Sequence, residues 1–288
     1  MNFLQIALLH WYPANQTASF PAGHFPIGLA FDGDHIWAAN NSEGTVSKVR
    51  ASDGTALGTF VVGSSPEDLA FDGAHIWVAN FGSNNVTKLR ASDGSIAGTF
   101  PAGTGPEGIA FDGTNIWIAS SASSTVAKLR AADGSLLGTF AAGNQPRAVA
   151  FDGSNIWVSN RLSNTVTKLR ADGTNLGNFA VGTFPLGLAF DGAHMWVANA
   201  NSNNVMKLRL ADGFILGTFN VGTTPRALAF DGASIWVANT GSNNVTQLRA
   251  SDGHVLGTFP VGTAPEGVAF DGANVWVANA VSNNLSKL

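Results

Sequence analysis

"PEGIAFDGTNIWIASSASSTVAKLRAADGSLLGTFAAG", residues 106–143, decides the fold. It reads as four short strands. "EGIAF" is apolar and stops at Asp112-Gly113. "NIWIAS" has the β-branched and aromatic composition that strands favour. "SASS" is a polar loop, and "TVAKLRA" alternates up to a second turn at Asp133-Gly134. "LLGTFAAG" is the fourth strand, and Pro146 sits in the crossing to the next unit. Asp-Gly between strand-like runs is a strong hairpin signal, because glycine takes positive φ without steric cost. No stretch of the chain holds a helical period.

The unit repeats. Phe-Asp-Gly begins at Phe31, Phe71, Phe111, Phe151, Phe190, Phe230 and Phe270, spaced 40, 40, 40, 39, 40 and 40. The short interval is a deletion in the turn "RADG" at 170–173, where a residue is most cheaply lost. Residues 71–100 and 230–259 agree at 24 of 30 positions, as expected of recent amplification. Four antiparallel strands per 40-residue unit are the signature of a propeller blade. The chain is therefore read as an all-β, seven-bladed β-propeller spanning 1–288 as one domain. The last copy stops at Leu288, before a fourth strand. "TASFPAGHFPIGLAFDG" (17–33) aligns with "AGTFPAGTGPEGIAFDG" (97–113), so residues 16–22 are expected to supply that missing outer strand. Residues 1–15 stay open. "IALLH" (6–10) also aligns with a third strand, a slot that "LSKL" already fills. This leader is an extra edge segment, disordered, an atypical export signal that is removed, or a sign that the chain belongs to a longer array. It lacks the leading Lys or Arg and the A-x-A site of a signal peptide.

Composition narrows the function classes. The chain is 12% charged, with a formal net charge of −4 and no cysteine. An average domain is about 25% charged, so strands packed on both faces are expected. Mild acidity argues against nucleic acid, which requires a clustered basic surface. Absent cysteine excludes disulfides and thiol chemistry. No apolar run approaches the roughly 18 residues of a membrane span.

"VGTAPEGVAFDGANVWVANAVSNNLSKL" (261–288) resembles the YVTN-type repeat of seven-bladed propellers, with Trp where that family usually has Tyr. The "SNNVTKLRASDGxxLGTF" half resembles the NHL-type repeat. The likeness implies the fold, and an exported or cell-surface setting. It says little of function, since those families include surface, scaffold and enzymatic members.

Removing what the blade demands exposes the rest. Seven Trp share one mid-strand slot and are read as packing residues. Lys and Arg of "KLR" account for twelve of fifteen bases and are read as a solvated stripe. Asp of the two Asp-Gly turns accounts for thirteen of nineteen acids. His35, His75 and His194 occupy a turn slot. Nine charged residues remain: Arg147, Arg161, Arg226, Asp34, Glu43, Glu67, Asp68, Glu107 and Glu266. The slot after the crossing proline reads Ile27, Glu67, Glu107, Arg147, Leu186, Arg226, Glu266 in blade order. These residues should ring one mouth of the central channel, as an acidic and a basic arc. Arg161 and Glu43 should lie on the same face, with His24, Phe25 and Phe184 beside them.

Two readings of the ring stand side by side. In one, Glu and Arg pair and carry no function. In the other, the mouth is a bipolar ligand site of Glu67, Asp68, Glu107, Arg147, Arg161, Arg226, Glu266 and His24. Its arginines would fork onto an anion, and its carboxylates would take a polar ligand or a hard cation such as calcium or magnesium. No nucleophile elbow, zincin, EF-hand or Walker motif is present, and no catalytic residue is assigned. "GTGPEG" (103–108) matches a dinucleotide loop in letters only, because it opens a strand rather than a helix. The leading expectation is a non-enzymatic binding or interaction scaffold with a small-molecule or protein partner. The alternatives are a metal-assisted lactonase or lyase of the kind that places metal, Glu and His at a propeller mouth, and an amplified scaffold with no specific ligand.

Overall fold

A computed structural model describes residues 18–288. Seven four-stranded antiparallel sheets form a closed ring of blades. Blade 1 is Pro26–Phe31, His35–Asn40, Thr45–Arg50 and Ala56–Val61, and blades 2 to 6 follow the same order. Their innermost strands are Pro66–Phe71, Pro106–Phe111, Pro146–Phe151, Pro185–Phe190 and Pro225–Phe230. Blade 7 joins both ends of the described chain. Its inner strands are Pro265–Phe270, Val275–Asn279 and Asn284–Lys287, and its outer strand is Ala18–Pro21. The register runs from Ala18↔Lys287 to Pro21↔Asn284. The expected closing strand is thus present over 18–21, while the readings of residues 1–15 and 16–17 lie outside the described residues. Among the described residues no helix is long and apolar enough to cross a membrane.

The core lies between blades. Along the second strand of blade 2, Trp77 and Ala79 pack with Ile116 and Ile118 of blade 3. Ile76 and Val78 turn the other way, to Trp37 and Ala39 of blade 1. Both faces are buried, so these strands read as continuous apolar runs, and few charges are needed. Each blade Trp also meets a Phe of the outer strand at ring-centre distances of 5.3–5.7 Å. In blade 7 that Phe is Phe20, supplied by the closing strand.

Burying seven indoles requires a partner for each ring N–H. The Asp of the first turn provides it: Trp117 Nε1 donates to Asp112 Oδ2 at 2.7 Å, and all seven blades repeat the bond. Burial opposes the Asp112 charge, but the donors from Trp117, Asn115 and Thr114 outweigh it and hold the carboxyl below its usual range. His35, His75 and His194 sit beside the same carboxylates, as turn residues.

One expectation is overturned. The "KLR" lysines are not a solvated stripe. Lys88 is buried, with Nζ 4.9 Å from the Trp77 ring centre and donating to the Ala131 carbonyl of the next blade at 2.6 Å. The buried Lys48, Lys168 and Lys207 and the half-buried Lys128 donate likewise, and Lys287 reaches Ala51 to join blade 7 to blade 1. The alternation of "TVAKLR" hid this, because the third strand is interior to a blade and its long side chain snorkels to a carbonyl across the junction. The arginines are the exposed members. Arg50, Arg130, Arg209 and Arg249 each pair with the Asp of their own second turn.

Candidate functional site: the channel mouth

The mouth is built by the crossings and the loops between second and third strands. The residue before each crossing proline is left-handed, with φ of 51–63° at Phe25, Ser65, Gly105, Gln145, Phe184, Thr224 and Ala264. That conformation turns the chain into the innermost strand. The carbonyl of the turning residue then accepts from the loop of its own blade, as in Phe81 N to Ser65 O at 2.9 Å and Arg161 N to Gln145 O at 2.9 Å. A left-handed Asn of the preceding loop ties the next crossing down: Asn84 Oδ1 accepts from Gly105 N at 2.8 Å. Crossing and loop thus form one rigid face, and the residue after each proline starts at its centre.

A channel cavity of about 220 Å³ opens there, lined among others by Ile27, Glu67, Asp68, Arg147, Leu186, Arg226 and Glu266. The charged groups do not stand as two separate arcs. Arg147 bridges two blades, with Nη2 3.1 Å from Glu67 Oε2 and Nε 2.9 Å from Glu107 Oε2. Glu107 is buried and turned from the cavity, its other oxygen 3.5 Å from Arg161 Nη2. Two residues unmarked in the sequence extend the chain of contacts. Asn41 Nδ2 donates to Glu67 at 3.0 Å, and Gln145 Oε1 accepts from Arg161 Nη2 at 2.7 Å. Arg161 also lies over the Phe184 ring at 5.5 Å. Both partners occupy variable loop slots, a signal that could have found them. His24 is exposed and pairs with Glu43 at 3.6 Å, so it does not join this network.

Charge is unevenly satisfied. Burial works against the Arg147 cation, but Glu67, Glu107 and Asp68 outweigh it and hold its pKa above the usual value. Arg226 is the opposite case: burial and the neighbouring Arg147 pull it down, more than Glu266, Glu67 and Glu107 restore. Arg226 forms one ion pair, through Nε to Glu266, and among the described residues neither Nη makes a hydrogen bond to the protein. Burial also raises Glu266. Asp68 is pushed up to about 6 by burial, partly offset by donors from Leu69 N at 2.9 Å and Ile109 N at 3.2 Å.

This arrangement does not assemble an oxygen cage for calcium or magnesium. Glu67 and Glu107 are held by Arg147 and Glu266 by Arg226, and among the described residues no group of three His, Asp or Glu converges as metal ligands. "GTGPEG" opens the strand Pro106–Phe111, not a helix.

No protein-family profile matches the sequence, and no curated protein matches it. Solved structures share the fold. Hydrazine synthase of Kuenenia stuttgartiensis superposes with a TM-score of 0.82 at 20% identity, covering 93% of this chain and 96% of that one. A streptogramin B lyase gives 0.81 at 20% identity, over 94% of this chain and 96% of that one. Virginiamycin B lyase from Staphylococcus aureus gives 0.81 at 18% identity, over 94% and 98%.

Proposed function

We propose that this propeller is a non-enzymatic binding module whose ligand sets an anionic group, such as a carboxylate, against Arg226 in the channel mouth. The observation that carries the reading is the half-satisfied guanidinium. Arg147 is neutralised by two glutamates, whereas Arg226 has one carboxylate partner, Glu266, and lines a polar recess with neither Nη hydrogen-bonded to the described protein. A planar fork of this kind suits a carboxylate. The seven copies supply an internal comparison. Phe-Asp-Gly at the far end of each innermost strand never varies, while the mouth slot takes Ile, Glu, Arg and Leu. Blade-building therefore does not dictate the mouth residues.

Isothermal titration with acetate and benzoate tests the reading. Saturable binding is expected, weakened at least tenfold in Arg226→Gln and unchanged in Arg209→Gln on the outer rim. Absence of binding, or equal binding by Arg226→Gln, sinks it.

A lyase reading draws on the two lyase structures of similar fold. It would require Arg147 to release Glu67 and Glu107. Saturable magnesium binding that is lost in Glu67→Gln would favour it over the binding module.

A further inference from the structure

The mouth face carries exposed apolar side chains that no blade requires. Going round the ring, Val281 of blade 7, Phe25 of blade 1 and Phe81 of blade 2 form one arc, exposed by 57%, 38% and 41%. Leu162 of blade 4, 49% exposed, and the partly buried Phe184 of blade 5 form another. In a closed ring of seven, blade 1 lies opposite the junction of blades 4 and 5. The two arcs therefore face each other across the channel. The equivalent positions elsewhere hold Ser, Gly, Ala, Gln, Thr, Asn or, at Arg161, Arg. Gly105 stands in the slot of Phe25, and Gly82 and Gly241 in the slot of Leu162 and Val281. The blade template does not require these side chains, and of the five only Phe184 lies under a guanidinium, that of Arg161.

Between the arcs lies a recess of about 220 Å³. That is below the 300–1,000 Å³ typical of pockets for whole drug-sized ligands. It has room for one inserted side chain, and its lining cation Arg226 is ion-paired through Nε to Glu266, with neither Nη hydrogen-bonded to the described protein. We infer that the mouth face docks an extended peptide segment. One acidic side chain enters the channel toward Arg226, and apolar side chains on either side rest on the arcs of Val281, Phe25 and Phe81, and of Leu162 and Phe184. Extended peptides place successive side chains on opposite sides, so an acid flanked by apolar residues two positions away presents all three to this face. Charged group in the recess and apolar contacts around it follow the usual division between orientation and buried area. The inference rests on the anion site at Arg226 and adds the nature of the molecule that carries the anion.

The test uses two phage-displayed heptapeptide libraries with Phe, Leu or Ile at positions 2 and 6. One has Asp or Glu at position 4, the other Lys. The acidic library should be recovered on the wild-type protein at least tenfold over the lysine library. Arg226→Gln should abolish that preference. The double variant Phe25→Ser/Leu162→Ser should lose at least tenfold recovery while keeping its acetate affinity, since neither side chain lines the recess. Equal recovery of both libraries, or full recovery on the double variant, overturns the peptide proposal. Acetate binding by the wild type under that outcome leaves the small-anion reading intact. Sedimentation supplies a second arm: self-association of the wild type, abolished by Phe25→Ser/Leu162→Ser, would assign the face to a second copy and overturn the proposal.

Discussion

Trp236 and Gln247 face one another across the second and third strands of blade 6, the one blade of seven in which lysine does not cover the indole. Gln247 donates to Ser234 Oγ at 3.0 Å within its own blade. Trp236 keeps 9% exposure, against none for the other six. Each lysine elsewhere combines a cation–π contact, worth up to about 2 kcal/mol when desolvated, with a charge-assisted bond to the next blade. Lys88→Ala should therefore cost about 2 kcal/mol in urea unfolding. Gln247→Ala should cost under about 1 kcal/mol, the net value of an ordinary hydrogen bond. Equal losses would show that the lysines act through local packing alone.

Arg147 is the keystone of the mouth network. Arg147→Ala leaves the buried Glu107 and the half-buried Glu67 without their shared counter-charge. Breaking a buried pair from one side typically costs about 3–5 kcal/mol. Adding Glu67→Gln and Glu107→Gln to Arg147→Met should recover most of that loss, since a neutral network needs no cation. Denaturant midpoints of the single and triple variants check both statements.

Asp68 gives the stability a pH dependence of known sign. Its folded pKa, about 6, lies above the ordinary carboxyl value. The folded state therefore binds the proton more tightly than the unfolded chain. Its stabilising contribution is complete below about pH 4 and is lost as pH rises through 6. Asp68→Asn should gain stability relative to wild type at pH 7, by up to about 3 kcal/mol. The gap should close between pH 6 and pH 4. Thermal midpoints across that window decide it, and a gap that widens on acidification contradicts the assignment.

The crossing turns store backbone strain. Thr224 is β-branched and sits at φ 54°, where only Gly105 among the seven equivalents is at ease. Thr224→Gly should stabilise by up to about 1 kcal/mol, the left-handed penalty less the entropy of an added glycine. Gly105→Ala should lose about as much, because a Cβ there takes on the same penalty and stands 3.0 Å from Phe81. Opposite signs in paired thermal melts are the expected result.

Much of this architecture was legible because a 40-residue period with two Asp-Gly turns leaves little choice of fold. The clasp was legible too, since residues 17–33 copy 97–113. The channel mouth was found by subtraction, which isolated Glu67, Glu107, Arg147, Arg226 and Glu266 as departures from the template. Who pairs with whom was not legible. Arg147 reaches a glutamate two blades away, a distance in space that no spacing along the chain encodes. The lysines were misread because a charged residue on an alternating strand normally faces water. Here the strand lies inside a blade, and a carbonyl 43 residues on receives the charge.

The closing strand also sets how the ring yields to force. Ala18 lies opposite Lys287 and Pro21 opposite Asn284. Tension applied through residues 18 and 288 pulls on one end of that short ladder, so its bonds are loaded one after another, as in a zipper, rather than all together in shear. The propeller should open at this seam under low load, while the other six blades, each sewn from continuous chain, stay shut.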